Sequence, residues 1–333
     1  MPPCRRGSRH VAKVFSTHHL HPDVTTRLKA AGDYLVASSP TGAAFLAEGT
    51  DADVIIVRAP VPPVYFARTK NLRAAVRHGA GLDMIPMEAA TAAGVVVANV
   101  PAVNAVTVAE HAIFAALALA RRFRSVDATL RSQGWAAARL LADDAHDLSG
   151  RTLGILGFGN IGRWLHRMGS AFGMKVIATT RRPDSLPADV TPVTLDDLAA
   201  RSDVLVIACP LTEETRGAIN TARLALMRPH TLLINVARGP IIDTPALVQA
   251  LREKRIGGAA LDVFDTQPLP ADSPLFGFPN VILTPHVAGI TEDSMLRMGE
   301  GTADEVLRIL ANDLPVNFCN PEVEAHYRKR FPA

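Results

Sequence analysis

Gly157-Phe158-Gly159-Asn160-Ile161-Gly162 spaces its glycines as a phosphate cradle requires. The run follows apolar Leu153-Gly154-Ile155-Leu156 and precedes a helical pattern, Trp164, Leu165, Met168 and Phe172. A GxGxxG string alone arises by chance in many glycine-rich loops. A strand before it and a helix after it make it a signal. Gly157 permits the tight turn, Gly159 lets backbone amides approach a pyrophosphate, and Gly162 allows close helix–strand packing. Asn160 and Ile161 then open a helix whose N-terminus favours anionic phosphates. The pattern predicts a dinucleotide site. NAD-binding chains usually carry Asp or Glu at the end of the second strand, for the ribose 2′-OH. Counting along the motif, that place is Thr180, in Ala178-Thr-Thr-Arg-Arg182. No carboxylate stands there to repel a 2′-phosphate, and Arg181 and Arg182 can pair with one. NADP is therefore the expected cofactor, with NAD as the alternative.

The elements that must position this motif alternate strand and helix. Val11–Phe15, Tyr34–Val36, Val54–Val57, Arg73–Arg77 and Val95–Ala98 read as strands. His21–Ala31, Gly42–Ala47, Pro63–Arg68 and Pro86–Ala93 read as helices between them. Asn99-Val100-Pro101 breaks the pattern, because the residue before proline is pushed out of the helical region. An alanine-rich helix follows from about Val106 to Arg122. A second series has strands at Thr152–Leu156, Lys175–Thr179, Val204–Ala208, Thr231–Asn235, Gly258–Asp262 and Val281–Thr284. Such alternation implies parallel sheets covered on both faces. The helix Glu292–Leu310 has no local α/β unit left to join, so it is expected to return to the N-terminal domain. The expected fold is α/β, with two Rossmann-like doubly wound parallel-sheet domains. The cofactor domain, residues 102–289, is inserted into a discontinuous flavodoxin-like substrate domain, residues 1–101 and 290–333. The cleft between them is the expected ligand site.

Composition bounds the partners. With 48% hydrophobic and 20% charged residues in 333, the chain is globular, long enough for two domains. A net charge of +3, spread along the sequence, gives no nucleic-acid surface. Cys4, Cys209 and Cys319 lie far apart, which argues against a disulfide framework or a zinc site. A reducing cytoplasm is the expected location. The apolar run Ala112–Ala120 is too short to span a bilayer. No apolar segment follows the basic Arg5, Arg6 and Arg9, so no secretory signal is read.

Four further blocks carry a resemblance. They are His78-Gly-Ala-Gly-Leu-Asp83, Asn104 with Thr107-Val-Ala-Glu-His111, Asn235-Val-Ala-Arg-Gly239 and Thr284-Pro-His-Val-Ala-Gly289. In this order and spacing the chain resembles the D-isomer-specific 2-hydroxyacid dehydrogenases, from about Val54 to Leu310. Cys209-Pro-Leu-Thr212 and Asp262-Val-Phe264 extend the resemblance. It implies a hydride transfer between NAD(P)H and C2 of a small 2-keto or 2-hydroxy acid, most closely a glyoxylate/hydroxypyruvate-type reductase. It also implies Arg238 as the arginine that grips the carboxylate and polarises the C2 oxygen, for which a bidentate guanidinium is suited. His286 is implied as the general acid/base. Gly79, Ala80 and Gly81 would offer backbone amides to the carboxylate, and Arg58 is a further substrate candidate. Thr107, Cys209, Pro210, Thr215, Val236, Ala237, Asp262, Ala288 and Gly289 would line the cofactor with Arg238 and His286. His78 and His111 are expected in packing or hydrogen bonding. The helix Val106–Ala120 is expected to build a homodimer.

The sequence departs from the family at one catalytic position. In Asp262-Val-Phe-Asp-Thr-Gln267-Pro268, Gln267 stands where the family glutamate belongs. An amide can orient an imidazole but brings no charge to stabilise imidazolium. Formate dehydrogenases of the same superfamily pair glutamine with histidine, so formate oxidation is an alternative. A non-catalytic NAD(P)H-sensing role is another. Formate oxidation ranks lower because the long N-terminal part typical of that group is not expected here. Phosphoglycerate ranks lower too. Only Arg58 and Arg77 offer charge near the Gly79–Gly81 loop, and no regulatory domain is expected after Leu310.

Overall fold

The computed structural model describes residues 11–331, so Cys4, Arg5, Arg6 and Arg9 lie outside the described residues. Two compact units emerge, Met1–Asn104 with Thr291–Ala333, and Ala105–Ile290. In the first, β1 (Lys13–Ser16), α1 (Pro22–Ala31), β2 (Asp33–Val36), α2 (Gly42–Glu48), β3 (Val54–Val57), α3 (Pro63–Arg68), β4 (Ala74–Arg77), α4 (Met87–Ala92) and β5 (Val96–Ala98) alternate. All five strands are parallel, in the order β2-β1-β3-β4-β5. Strands β3 and β5 are buried throughout, as a sheet covered on both faces requires.

The second unit opens with α5 (Ala105–Ala120), α6 (Phe123–Gln133) and α7 (Trp135–Leu140). It continues through β6 (Thr152–Leu156), α8 (Asn160–Ala171), β7 (Lys175–Thr179), β8 (Val190–Pro192), α9 (Leu195–Arg201) and β9 (Val204–Ile207). It closes with α10 (Thr221–Leu226), β10 (Leu232–Asn235), α11 (Thr244–Arg252), β11 (Gly258–Leu261) and β12 (Val281–Leu283). The sheet is parallel in the order β12-β11-β10-β9-β6-β7-β8. The chain reverses direction across the sheet between β6 and β9, where such folds place ligands at the carboxyl ends of the strands. Helices α12 (Glu292–Leu310) and α13 (Glu324–Arg330) belong to the first unit, where α12 packs on α1 and β4.

Two expectations change. The second sheet has a seventh strand, β8, which escapes a pattern search because it is short, sits at an edge and buries only Val190. The helix expected over Val106–Arg122 stops at Ala120. Arg122 adopts a left-handed conformation (φ 50°), and α6 and α7 follow in a segment to which the sequence reading assigns no element. Helix α6 buries none of its residues, so nothing in its pattern announces a core face. Among the described residues, no helix is long and apolar enough to cross a membrane, and no group of three or more His, Cys, Asp or Glu could hold a metal.

Both sheets share an anchoring device. An aspartate just before the third strand in chain order accepts from the first strand's opening amide in one unit, and its counterpart before β9 does so in the other. Lys13 N–H donates to Asp53 Oδ2 at 2.8 Å, and Thr152 N–H donates to Asp203 Oδ2 at 2.7 Å. The next strand then bonds to the same residue's carbonyl, Arg73 N–H to Asp53 and Leu232 N–H to Asp203. Burial pushes the Asp203 carboxyl upward. The Thr152 N–H, His230 Nε2 at 2.6 Å and Arg228 outweigh it and hold the group below the usual carboxylate range. A lowered folded-state value stabilises above the unfolded value and is lost as pH falls through the folded one. Asp203→Asn is therefore expected to cost about 1 kcal/mol at neutral pH, and the gap to the native chain should close on acidification. Urea unfolding across pH checks this; a gap that does not change with pH contradicts it.

Candidate active site

In the second unit, the predicted site residues gather at one edge of one sheet. Gly157–Gly162 follows β6, Thr180–Arg182 follows β7, and Cys209–Thr215 follows β9. Val236–Arg238 follows β10, Asp262 follows β11, and His286–Gly289 follows β12. Parallel strands put all these carboxyl ends on the same side.

The glycine turn takes the expected form. Gly157 has φ 95°, and a Cβ there would stand 2.6 Å from the Cys209 Cα. A side chain is excluded both by conformation and by space. Gly162 sits so close to the turn that its Cβ would meet Gly157 O at 2.7 Å, whereas nothing lies within 4 Å of the same position on Gly159. The turn is thus packed from behind and open at Gly159. Helix α8 begins at Asn160 with no side-chain cap, which leaves its first amides for an anion. These features fit a dinucleotide. Its pyrophosphate would lie on Gly159–Ile161, and its ribose near exposed Arg181 and Arg182, where Thr180 Oγ1 accepts from the Arg182 amide at 3.3 Å. Burial raises the Cys209 thiol to about 11, so it stays neutral against the turn. Thr215 Oγ1 donates to Pro210 O at 2.8 Å and accepts from the Thr212 amide at 2.7 Å, which fixes the loop after β9. Val236, Ala237, Ala288 and Thr107 are buried, the last on α5.

Arg238 stands on a turn built by Asn235. The Asn235 Oδ1 accepts from the Ala237 amide at 3.0 Å, and its Nδ2 donates to Arg238 O at 2.9 Å. Asn235 is buried and Arg238 is partly exposed, with Nη1 donating to Ala237 O at 2.7 Å.

His286 sits at φ 58°, a left-handed conformation that costs energy outside glycine. The buried Asp262 carboxylate holds the turn. Its Oδ1 accepts from Thr284 Oγ1 at 2.6 Å and from the Val287 amide at 2.8 Å, and its Oδ2 from the Ala288 amide at 2.9 Å. Thr284 Oγ1 in turn accepts from His111 Nε2 at 3.4 Å. Asp262 thus serves the loop that carries the histidine. Asn235 and Thr284, absent from the sequence-based site, are part of its scaffold. The expected Gln267–His286 pair is present, with Nδ1 to Oε1 at 3.1 Å. Gln267 Nε2 donates to Phe264 O at 3.4 Å, which leaves Oε1 for the imidazole. An acceptor at Nδ1 makes that nitrogen the protonated one, so Nε2 is the atom left to exchange a proton.

In the first unit, Arg58 follows β3 and the Gly79–Gly81 loop follows β4. The Arg58 guanidinium turns back into its own unit, donating to His19 O and, at 3.7 Å, to Met295 Sδ. Arg77 is engaged by backbone carbonyls, so neither arginine is a loose phosphate clamp. His78 is buried. Desolvation, then Arg58 and Arg77, lower it to about 3, so it is neutral and serves packing.

The sequence profile of the D-isomer specific 2-hydroxyacid dehydrogenase NAD binding domain matches residues 113–288. A glyoxylate reductase of Aeropyrum pernix is 35% identical over 326 residues, covering 93% of this chain and 96% of that one. A D-3-phosphoglycerate dehydrogenase of Methanocaldococcus jannaschii is also 35% identical over 316 residues, but this chain spans only 60% of its length. Among solved structures, an NADPH-dependent glyoxylate/hydroxypyruvate reductase from Sinorhizobium meliloti, in complex with NADP and malonate, superposes with a TM-score of 0.81 at 30% identity, covering 93% of this chain and 97% of that one. An NAD-dependent formate dehydrogenase from Staphylococcus aureus, in complex with NAD, gives 0.79 at 27%, covering 90% and 96%. With these likenesses running along most of its length and a dinucleotide turn of the right build, the chain belongs to the D-isomer specific 2-hydroxyacid dehydrogenases, NAD(P)-dependent oxidoreductases of 2-hydroxy acids.

Proposed function

We propose that the protein reduces a small 2-keto acid of the glyoxylate or hydroxypyruvate kind with NADPH. The observation that carries this is the imidazole of His286, held by Gln267 on the same strand edge as Arg238 and the glycine turn. Bound nicotinamide would supply the hydride to C2. Arg238 would pair with the substrate carboxylate and draw charge onto the C2 oxygen, which strengthens as that oxygen becomes anionic. His286 Nε2 would give that oxygen its proton and regain one from water, while Gln267 keeps the other nitrogen protonated. The amides of Gly79, Ala80 and Gly81 would hold the carboxylate. We read residues 102–289 as the cofactor domain and residues 1–101 with 290–333 as the substrate domain. Formate oxidation is the second reading, favoured by the Gln267–His286 pair itself. It is less well supported, since relatives at 35% identity are glyoxylate reductases and a D-3-phosphoglycerate dehydrogenase.

The experiment is an initial-rate assay of NADPH and NADH oxidation with glyoxylate, hydroxypyruvate, pyruvate and phosphohydroxypyruvate, beside formate oxidation. The reading expects turnover of glyoxylate or hydroxypyruvate, lowered roughly a thousandfold in kcat/KM by Arg238→Ala. It also expects a KM for NADPH about tenfold below that for NADH, because Arg181 and Arg182 can pair with the 2′-phosphate. Formate oxidation without keto-acid reduction would sink it.

Gln267 sets the pH range. A glutamate in its place would stabilise imidazolium, the form that reduction needs, up to higher pH. Gln267→Glu should therefore move the alkaline limb of the reductive kcat profile to higher pH. Superimposable profiles would show that residue 267 does not govern the proton.

We infer a homodimer with α5 as one contributing element, since it packs within its own unit against α8, β10 and β11 but leaves Phe114 56% exposed. Helices α6 and α7 add the exposed apolar side chains of Phe123, Leu130, Trp135 (77% exposed) and Leu140 (70% exposed). Helices α6 and α7 contact one another, and exposed apolar side chains on adjoining helices mark interaction surfaces. Sedimentation should give twice the 35.5 kDa chain mass, and Trp135→Ala with Leu140→Ala should shift it toward the monomer. A native chain that sediments as a monomer would end the idea. Free Cys209 and Cys319 suit the cytoplasm, where we place the enzyme.

A further inference from the structure

The loop after β4 has its carbonyls tied down one after another. Arg77 Nη1 donates to His78 O at 2.5 Å and Arg77 Nε to Gly81 O at 3.0 Å. The Val100 amide donates to Gly79 O at 3.0 Å, and Asn99 Nδ2 to Ala80 O at 2.7 Å. Arg77 Nη1 also holds Val57 O, at the end of β3, at 2.9 Å. One guanidinium therefore fastens the loop to two neighbouring strands. It lies directly under the turn, since a Cβ on Gly79 would stand 3.8 Å from the Arg77 Cζ. Gly79 itself has φ 126°, which only glycine adopts freely.

In a trans peptide the C=O and the following N–H point in opposite directions. Holding Gly79 O aims the Ala80 N–H the other way, and holding Ala80 O does the same for Gly81 N–H. Ala80 is exposed and Gly81 half-buried. Among the described residues, neither amide donates to a protein group. Consecutive amides turned outward form an anion-binding nest. We propose that Arg77 and Asn99 are positioning residues, which set the Ala80 and Gly81 amides to grip the carboxylate of the 2-keto acid. This rests on the reading of the Gly79–Gly81 loop in the proposed function. Neither side chain touches the substrate; each acts through the carbonyl it holds. A positively charged side chain that donates to three carbonyls also adds favourable potential beneath the nest.

Arg77→Met, Arg77→Lys and Asn99→Ala in the full chain, saturated with NADPH, test the proposal. The expected result is a rise of about tenfold in the glyoxylate KM for Arg77→Met and Asn99→Ala, with kcat within about threefold and the NADPH KM unchanged. The inhibition constant of oxalate, a dicarboxylate that cannot be reduced, should rise in parallel. Arg77→Lys, which can still hold one carbonyl, should fall between. A lowered melting temperature and kcat, with KM and oxalate inhibition unmoved, would show a merely structural role and overturn the proposal. Should Arg77→Met not fold, Asn99→Ala carries the test alone. Should the native enzyme reduce no keto acid, the functional reading fails. The loop is then judged by calorimetry of oxalate binding to the NADPH complex. Weaker binding in the variants supports the nest, and equal binding, or none to the native chain, refutes it.

Discussion

The buried carboxylate of Asp262 is the interaction on which the second unit's site depends. It accepts from a hydroxyl and two successive amides, all within the turn after β12. A carboxylate can be buried only if its oxygens are paired, because desolvation otherwise costs more than packing returns. The pairing that satisfies Asp262 also curls the chain into the left-handed conformation of His286. Folding of the turn and placement of the imidazole are thus one event. The strain at His286 is offset locally, by charge-assisted hydrogen bonds that form only when the turn is made. Gln267 then has one task left, to hold the ring by its Nδ1.

The same economy runs through both sheets. Parallel strands deliver their carboxyl ends to a single edge, so residues far apart in sequence meet without long connections. Asp53 and Asp203 register the central strands at the opposite, amino-terminal ends, each through the first strand's opening amide. Side chains acting on backbone recur at the carboxyl ends. Asn235 builds the Arg238 turn, Asp262 the His286 turn, and Arg77 with Asn99 the Gly79–Gly81 loop. The groups proposed to meet substrate sit on turns that these buried or half-buried polar side chains hold in place.

Much of the fold was legible in the sequence. The β-branched runs Val54–Val57, Thr152–Leu156 and Lys175–Thr179 are strands with those same bounds, because strands buried on both faces read as uninterrupted apolar runs. β8 and α6 were not, for the physical reason that neither buries an apolar face large enough to leave a periodicity. At the site, glycine spacing in its strand–helix context pointed to the phosphate turn, whose backbone demands glycine. The scaffold was illegible by contrast. Arg77 reaches Val57 across 20 residues, Asn99 reaches Ala80 across 19, and Thr284 reaches Asp262 across 22. Side-chain hydrogen bonds over such distances follow from topology and leave no local pattern.

In the proposed reaction a hydride reaches C2 and a proton reaches its oxygen. NADPH deuterated at C4 on each face in turn, with hydroxypyruvate as acceptor and the product analysed by NMR and chiral chromatography, tests this. The expected product is D-glycerate carrying one deuterium, at C2, with the label on one face of the nicotinamide and none with it on the other. Product unlabelled at C2 with both forms of the cofactor, or of the L configuration, is incompatible with that reaction.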